Sequence, residues 1–404
     1  MKPLDELTSH CIRCGFCLES CPTFVETGEE TESPRGRIYL VRSADEGKIS
    51  WADTKPHIDQ CLGCRACETA CPSGVEYGQI LEIARDKLER ENPNRAKAFL
   101  LEGLSHPGKL KLQLLLGKLL PGKRIPAFLS RLLSGQAPEA NRPNPQKCYR
   151  WAPLDEEHLP AIKGEVYLLE GCVMSVLFPG VHQATRRLLR RVGYTVREVT
   201  AGCCGSLHLH VGYLDEAREF AQKLTAALPD DLPVIVDSAG CGSTMKEYAS
   251  LDPNLGPFAK RVFDISEFLL ANGLVEELAK ARGLTTKITY HDACHLAHSQ
   301  KVRSQPRQLL EAVPGLELIP LNEADTCCGS AGIYNLTEPK MARQLLERKW
   351  RNIEATGASI AVLGNPGCHA WIAQAAQEHK SAIKVVHTAE LLESAFSGLP
   401  AELA

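Results

Sequence analysis

Sixteen of the seventeen cysteines in this 404-residue sequence fall into four groups whose spacing suits the binding of metal. The first two groups are runs of the same form, C-x2-C-x2-C-x3-C-P. Their members are Cys11, Cys14, Cys17 and Cys21 in the first run and Cys61, Cys64, Cys67 and Cys71 in the second. Three thiolates so close in sequence can surround one iron–sulfur cluster, and this spacing is typical of cubane [4Fe–4S] clusters. The two runs therefore predict a segment that carries electrons between two such clusters.

The runs resemble those of two-cluster bacterial ferredoxins, in which the fourth cysteine of each run binds the other cluster. The resemblance implies a first cluster held by Cys11, Cys14, Cys17 and Cys71, and a second held by Cys61, Cys64, Cys67 and Cys21. A disulfide framework and two zinc sites are the alternatives. Neither is favoured, because the first ten residues lack the apolar core of a signal peptide and neither run consists of separated C-x2-C pairs.

The composition sets broad limits on function. Apolar residues make up 44% of the chain and charged residues 24%, as in soluble globular proteins. No stretch approaches the roughly 20 apolar residues of a membrane span. The net charge of −3 gives no reason to expect a nucleic acid partner, and so many cysteines in a reducing compartment indicate metal or redox chemistry. We therefore expect a cytoplasmic protein of two or three domains, for which any contact with the cytoplasmic face of the inner membrane is peripheral.

A basic segment between Ser105 and Arg150 contains nine lysines and arginines against one glutamate. Its leucines recur at helical spacing, interrupted by prolines and a glycine near residue 122, which predicts two short amphipathic helices. A linker rich in proline and asparagine follows. The segment could face anionic lipid or could pack as a connector on the neighbouring domains. Cys148 lies just beyond this linker with no partner at ligand spacing, and we interpret it as a bystander thiol.

From about residue 163 the chain contains the same pattern twice, with a period near 123 residues. In each copy short β-branched runs alternate with helical stretches, which predicts one parallel α/β sheet per repeat. Ligands of such sheets bind beyond the carboxyl ends of the strands, where the motif cysteines also fall. Each repeat is therefore expected to gather four thiols. They are Cys172, Cys203, Cys204 and Cys241 in the first repeat and Cys294, Cys327, Cys328 and Cys368 in the second.

The repeated C-x30-CCG-x35-C spacing resembles the cysteine-rich CCG domain of heterodisulfide reductase and of several flavoprotein-linked iron–sulfur subunits. The fuller form of that domain ends in CxxC and gives five cysteines to a noncubane cluster. Here Thr244 and Trp371 stand where the last cysteine would be. Three possibilities remain for each repeat, namely a four-thiolate cluster, another metal, or a structural relic without a cluster. Nearby His291, His295 and His369 could be ligands, hydrogen-bond donors or polar loop residues.

The order of two ferredoxin runs and two CCG repeats resembles the iron–sulfur subunit of bacterial glycolate oxidase. The stretches that carry this resemblance include SPRGRIYL, CLGCRACETACPSGVEY, SAGCGSTMKEY and CCGSAGIYNLTEP. The resemblance implies that FAD-containing partner subunits oxidise glycolate, and often D-lactate, to the 2-oxo acid. This chain would then relay the electrons towards membrane quinone. It has neither a G-x-G-x-x-G fingerprint after a strand nor a phosphate loop, so we expect no flavin or nicotinamide on it.

Two other functions stay open at the level of sequence. One changes the donor, to a D-lactate or an anaerobic glycerol-3-phosphate dehydrogenase. The other is a thiol–disulfide reductase like heterodisulfide reductase. Within SPRGRIYL we expect Ser33 to cap a helix that begins at Pro34. Arg35 and Arg37 either offset the negative charge of a thiolate-bound cluster or serve the helix through solubility or an ion pair.

The expected fold class is therefore a multidomain α+β protein. Residues 1–100 form a mostly helical two-cluster ferredoxin-like domain, and residues 101–162 form the basic helical connector and linker. Residues 163–284 and 285–404 form the first and second cysteine-rich α/β repeats. Beyond the two [4Fe–4S] clusters, the repeats offer ligands for one or two further iron–sulfur clusters.

Overall fold

A computed structural model describes residues 1–117, 145–146, 148–199, 202–398 and 400. Within them the chain forms a helical N-terminal region followed by two parallel sheets. The first sheet consists of β1 (Gly164–Leu169), β2 (Tyr194–Arg197), β3 (Val234–Val236) and β4 (Val262–Asp264). The second consists of β5 (Thr286–Tyr290), β6 (Leu316–Ile319), β7 (Ile360–Leu363) and β8 (Lys384–His387). The expected fold class is confirmed.

The two sheets have the same topology and the same register. Their strand orders are β2-β1-β3-β4 and β6-β5-β7-β8, with every pair parallel. Gly164 of β1 lies opposite Tyr194 of β2, and Thr286 of β5 lies opposite Leu316 of β6. The inner strands β3 and β7 are apolar and buried along their whole length, as parallel strands covered on both faces must be. The internal repeat of the sequence is therefore a repeat of structure.

Helices surround both sheets. The first repeat contains Val173–Leu177, Pro179–Arg191, Ser206–Val211, Leu214–Ala227, Ala239–Lys246, Tyr248–Leu251, Gly256–Ala259, Ile265–Ala271 and Leu274–Leu278. The second contains a π-helix at His295–Ser299 and α-helices at Ser304–Glu311, Tyr334–Thr337, Pro339–Ala355, Pro366–Glu378 and Thr388–Ser397. Longer members such as Pro179–Arg191 have one buried apolar face and one polar face, so they cover the sheet and meet water at once.

The N-terminal region is helical around its own small core. Its helices are Leu4–Ser9, Pro22–Thr27, Pro34–Asp45, Trp51–Asp59, Ala66–Thr69, Tyr77–Glu91, Arg95–Ser105 and Pro107–Gly117. Leu7, Val41, Ile58 and Ile80 are buried together at its centre. The expected cap is confirmed: the Ser33 hydroxyl accepts a hydrogen bond of 3.0 Å from the Gly36 amide, and Pro34 is the first helical residue.

The basic segment is described only in part. Its first expected helix corresponds to Pro107–Gly117, where Leu110 is buried and Leu112 and Leu115 are exposed. The second expected helix, its proline breaks and most of the linker lie outside the described residues. Across the described ranges, none of the helices combines the length and the apolar character that crossing a bilayer requires.

The two repeats share one hydrophobic core, which includes strand residues of both sheets. The helix Pro179–Arg191 of the first repeat packs against Thr388–Ser397 of the second. At this contact the fully buried Glu393 carboxylate accepts hydrogen bonds from Arg187 Nε at 2.7 Å and Arg191 Nε at 2.8 Å. A buried carboxylate is stable only when its charge is matched in this way. The relative orientation of the repeats is thus fixed by apolar packing and by one buried ion cluster.

Replacing Glu393 by Gln should destabilise this contact between the repeats. Gln has nearly the same shape as Glu, but the largely buried guanidinium groups of Arg187 and Arg191 lose their counter-charge. We therefore expect the free energy of unfolding to fall by about 3 kcal/mol. Denaturation of the full chain under anaerobic conditions measures the change. Glu198→Gln is the matched control, because its 79% exposed side chain pairs with Arg186 on the same helix and should change stability by less than about 1 kcal/mol. Equal effects of the two substitutions would contradict the assignment.

Candidate metal centres

The first N-terminal centre is a small cavity of about 30 Å³ at the surface end of the region. The cysteines that line it are Cys11, Cys14, Cys17, Cys67 and Cys71. It therefore contains the whole first ligand set that the sequence implies, with the fourth cysteine supplied by the second run. Cys14 is exposed, and Ile12 and Phe16 beside it are 68% and 69% exposed. This centre is the one of the two that approaches solvent.

The second N-terminal centre is a cavity of about 20 Å³ lined by Cys21, Cys61, Cys64 and Cys67. These four residues are the second implied ligand set. The Tyr77 hydroxyl donates to Cys61 Sγ at 3.5 Å, and the Gly63 amide donates to the same sulfur at 3.4 Å. Cys67 lines both cavities, so the two centres are direct neighbours in space.

The donor set fits iron–sulfur clusters on chemical grounds. Burial raises the pKa of the Cys64 and Cys67 thiols well above its usual value, because the charged thiolate is poorly solvated there. A cation bound between the sulfurs would offset that charge and convert the thiols into ligands. Residues 11–17 and 61–67 share left-handed backbone at equivalent positions, since φ is 58° at Arg13 and 65° at Gly63, and 89° at Gly15 and 63° at Arg65. Such strain is tolerated where the surrounding structure requires it.

The two arginines of SPRGRIYL differ in their surroundings. Arg37 is 1% exposed, and its Nη1 lies 3.9 Å from Cys21 Sγ. It also donates to the His57 carbonyl at 2.7 Å and to Glu32 at 2.6 Å. Arg35 lines the first cavity but is partly exposed and pairs with Glu30. Of the two arginines, Arg37 is therefore the one whose positive charge is weakly screened by water and lies close to a metal centre.

In the first repeat the sheet brings the cysteines together at its carboxyl edge. Cys172 follows β1, Cys203 and Cys204 follow β2, and Cys241 follows β3. Cys172 Sγ donates to Cys203 Sγ at 3.5 Å. This hydrogen bond raises the pKa of Cys172 and lowers the pKa of Cys203. The Gly205 amide donates to Cys203 Sγ at 3.4 Å and stabilises negative charge on that sulfur.

The glycine of each CCG motif is required by the backbone. Gly205 and Gly329 have φ of 78° and 86°, a left-handed conformation that glycine adopts without strain. A side chain would also collide with a later helix of the repeat, Leu214–Ala227 in the first and Pro339–Ala355 in the second. Its Cβ would lie 3.0 Å from the Ala217 carbonyl oxygen in the first repeat and 2.6 Å from the Ala342 carbonyl oxygen in the second. The left-handed turn at the glycine thus directs the two adjacent thiols towards the site. The absence of a side chain there lets the backbone pass close to a helix.

In the second repeat the four cysteines meet in the same way. Cys294 Sγ lies 4.0 Å from Cys327 Sγ, and the Asn365 side-chain amide donates to Cys368 Sγ at 3.5 Å. One ring nitrogen of His291, Cys328 Sγ and Cys368 Sγ all lie within 4.8 Å of one another. Of the other two histidines named from the sequence, His295 contacts the Gly63 carbonyl through Nε2 at 3.0 Å and His369 lies within the helix Pro366–Glu378. These two belong to helices rather than to polar loops.

The two repeats face each other across one cavity of about 450 Å³. The cysteines in its lining are Cys61, Cys172, Cys203, Cys204, Cys241, Cys294, Cys327 and Cys368. Cys328, the fourth cysteine of the second repeat, is fully buried and is not part of this lining. The Asn365 side chain crosses between the repeats, because its Oδ1 accepts a hydrogen bond of 3.1 Å from the Gly240 amide. The sequence indicated two thiol groups but carried no signal that they open onto the same space.

The second cysteine run is docked on both repeats by residues that spacing did not reveal. Arg65 donates to the Glu247 carboxylate at 2.5 Å and to the Ser299 hydroxyl at 3.1 Å, and thus joins the run to the first and the second repeat. The Tyr334 hydroxyl donates to the Gln60 carbonyl at 2.8 Å. Leu62, Cys64 and Ala66 are part of the same hydrophobic cluster as Cys327 and Cys328. No local pattern marks these residues, since each acts through a partner far away in sequence.

Replacing Arg37 by Met should lower the midpoint potential of the centre that contains Cys21. A positive charge near a cluster stabilises its more negative, reduced state. One unit charge a few ångströms away at an effective dielectric constant of about 20 is worth a few kcal/mol, so the shift should be on the order of 100 mV. Redox titration followed by electron paramagnetic resonance (EPR) measures it.

Arg37→Lys should retain most of the potential, and Arg42→Met, which removes an exposed partner of Glu46 on the same helix, should leave it unchanged. A midpoint that does not move in Arg37→Met would assign this arginine to stability alone.

Comparison with known proteins agrees with this architecture. A family model described as a 4Fe-4S dicluster domain matches residues 7–75, and one described as a cysteine-rich domain matches residues 166–246 and 288–373. Among solved structures, a hypothetical protein from Helicobacter pylori has a TM-score of 0.56 and 7% identity over 98% of this chain and 77% of its own. That likeness shows a shared fold alone.

Two relatives are similar along nearly the whole chain. The "Probable glycolate oxidase iron-sulfur subunit" of Bacillus subtilis is 34% identical over 417 residues, which covers 95% of this chain and 93% of the relative. The "Glycolate oxidase iron-sulfur subunit" of Escherichia coli is 34% identical over 412 residues, which covers 97% and 95% respectively. The order of the cysteine groups and this similarity together show that the chain belongs to the family of glycolate oxidase iron–sulfur subunits.

Proposed function

We propose that this protein transfers electrons within a glycolate-oxidising complex, from FAD-containing partner subunits towards membrane quinone. The observation that carries the proposal is the continuity of the thiol groups. Cys67 lines both N-terminal cavities, and Cys61 lines the second of them and also the large cavity between the repeats. A line of candidate centres thus runs from the exposed Cys14 to the interior of the molecule. Such a line suits a relay better than it suits separate structural metal sites.

We further propose that Cys11, Cys14, Cys17 and Cys71 hold one [4Fe–4S] cluster and that Cys21, Cys61, Cys64 and Cys67 hold another. The thiols of each repeat would hold one further iron–sulfur cluster. A bound cluster supplies one-electron transfer at a fixed place. The residues of this chain provide the negative sulfurs, exclude water from them, and donate hydrogen bonds such as those of Tyr77 to Cys61 and of Asn365 to Cys368. Those donors favour extra negative charge on the sulfurs and so favour the reduced state.

The number of clusters can be measured by iron and sulfide analysis of the anaerobically purified full chain. Four filled centres require about sixteen irons per chain, whereas the two N-terminal centres alone require about eight. We expect about sixteen. The double variant Cys172→Ser/Cys203→Ser should remove about four irons, because it takes away the two thiols that are hydrogen-bonded in the first repeat. A wild-type value near eight would reject the clusters of the repeats and leave the N-terminal relay in place.

The relay itself can be tested in the complex with the flavin-bearing subunits. Glycolate added without oxygen should reduce the flavin and then the centres of this chain, as followed by visible absorption and EPR. In Cys64→Ser, reduction should still reach the flavin and the centre at Cys11, Cys14, Cys17 and Cys71 but should slow at least tenfold beyond it. Cys148→Ser is the matched control, since Cys148 is exposed and lies outside the cavities described above. Oxidised centres beside a reduced flavin in the wild type would reject the relay.

The same preparation separates the alternative functions. Reduction by D-lactate or glycerol 3-phosphate, but not by glycolate, would change the donor and keep the relay. The shared cavity, with the thiols of Cys172 and Cys203 in its lining, is the feature that a thiol–disulfide reductase would use. Cluster-dependent reduction of a small disulfide by the isolated subunit is expected to be absent. If it occurred at a rate comparable with glycolate turnover, the reductase function would replace the relay.

A further inference from the structure

His291 is a buried side chain with one ring nitrogen that no protein group satisfies. It directly follows β5, three residues before Cys294, and is 1% exposed. Its Nδ1 lies 3.1 Å from the Ala324 carbonyl oxygen, to which it can only donate. The lone pair of the neutral ring is therefore on Nε2, which is buried and has no hydrogen-bond partner among the described residues. Leaving such an acceptor without a partner costs roughly 1–3 kcal/mol.

The imidazole faces thiols of the second repeat. A ring nitrogen of His291 and the sulfurs of Cys328 and Cys368 lie within 4.8 Å of one another, a spread that small side-chain rotations can close around a metal. We propose that His291 Nε2 is a ligand of the metal centre of the second repeat, together with the thiolates of Cys294, Cys327, Cys328 and Cys368. The proposal rests on the proposed function only in requiring that this repeat holds a metal centre.

The surroundings of His291 are those of a ligand. A metal-bound histidine usually donates its other ring N–H to a carbonyl or carboxylate, which fixes the tautomer and the orientation of the ring. The Ala324 carbonyl has this role here, and the buried Lys349 ammonium lies 3.4 Å from the same oxygen and holds the loop that carries it. An imidazole without a hydrogen bond at Nδ1 could rotate away from the thiols.

The position three residues after the last cysteine cannot supply the fifth donor. Trp371 occupies the position three residues after Cys368, is 2% exposed, and has the Arg343 guanidinium 5.4 Å from its ring centroid. Its indole N–H is a donor only and cannot bind a metal. In the first repeat the residue equivalent to His291 is the buried Leu169, at the end of β1 and three residues before Cys172. The two repeats would therefore hold different centres, one with an imidazole ligand and one with thiolates alone.

The consequence of this difference is a difference in potential. At a given coordination position, a neutral imidazole makes a centre easier to reduce than an anionic thiolate would, as in iron–sulfur centres that contain histidine. The second repeat also packs directly on the loop of Cys64. His291 would therefore set this centre, which lies next to the N-terminal relay, at a higher potential than a thiolate in the same position would.

Pulsed EPR of the reduced full chain tests the ligand directly. The wild type should show the coupling of a nitrogen bound directly to the metal, and labelling with ¹⁵N-histidine should change it to that of ¹⁵N. His291→Cys should keep the iron content, because a thiolate can replace the imidazole, but should lose this coupling and lower the midpoint potential of the centre. His291→Leu, which copies the first repeat, should lose the coupling as well. The coupling is selective, since the other centres are expected to have sulfur ligands.

His369→Gln is the matched control. His369 is equally buried and adjacent to Cys368, but among the described residues its ring nitrogens are not grouped with the cysteine sulfurs as that of His291 is, so the coupling should persist in this variant. The proposal is overturned if the wild type shows no coupling to ¹⁵N-histidine, if the coupling survives in His291→Cys, or if the second repeat contains no metal. Glycolate-dependent reduction of the N-terminal centres, measured after the flavin-bearing subunits are added to the same variants, shows whether the relay holds independently of this ligand.

Discussion

The free-energy cost of moving thiolates out of water is the constraint on which this structure depends. A thiol as deeply buried as Cys64 or Cys67 has a raised pKa and stays neutral unless a positive charge compensates for the buried anion. Bound iron supplies that charge, so the binding of metal becomes part of the free energy of folding. The short loops, the amide donors beside the sulfurs and the buried Arg37 all act in the same direction. Each lowers the free-energy cost of a negative charge that is buried away from the solvating effect of water.

Much of the fold and of the ligand grouping could be predicted from the sequence, because both depend on local spacing. The C-x2-C-x2-C-x3-C runs fix which thiols lie in one loop, and β-branched runs of regular period fix the strands. Parallel strands place their carboxyl ends at one edge, so Cys172, Cys203 and Cys241 had to meet once the sheet formed. Ser33 could be placed for the same reason, since a capping residue acts within one helical turn.

The remaining features depend on contacts between residues far apart in sequence. Arg65 meets Glu247 only after the N-terminal region has docked on the first repeat, and Asn365 reaches Gly240 only across the contact between the repeats. Neither has a neighbouring residue that marks its role. The shared cavity is of the same kind, because each thiol group follows from one sheet but its opening onto the other group follows from packing at Arg187, Arg191 and Glu393. Sequence spacing describes single sites well and the relation between sites poorly.

The two repeats show how the same backbone can support unlike centres. Their strand order, register and CCG turns agree, yet the residue at the end of the first strand is Leu169 in one and His291 in the other. The position three residues after the last cysteine differs too, with the small Thr244 against the large Trp371. A duplicated sheet alone would give two equivalent centres and no preferred order of electron flow. Because thiols of the second repeat pack against the loop of Cys64, unlike donors in the two repeats would give that order a physical basis, with the centres set at different potentials.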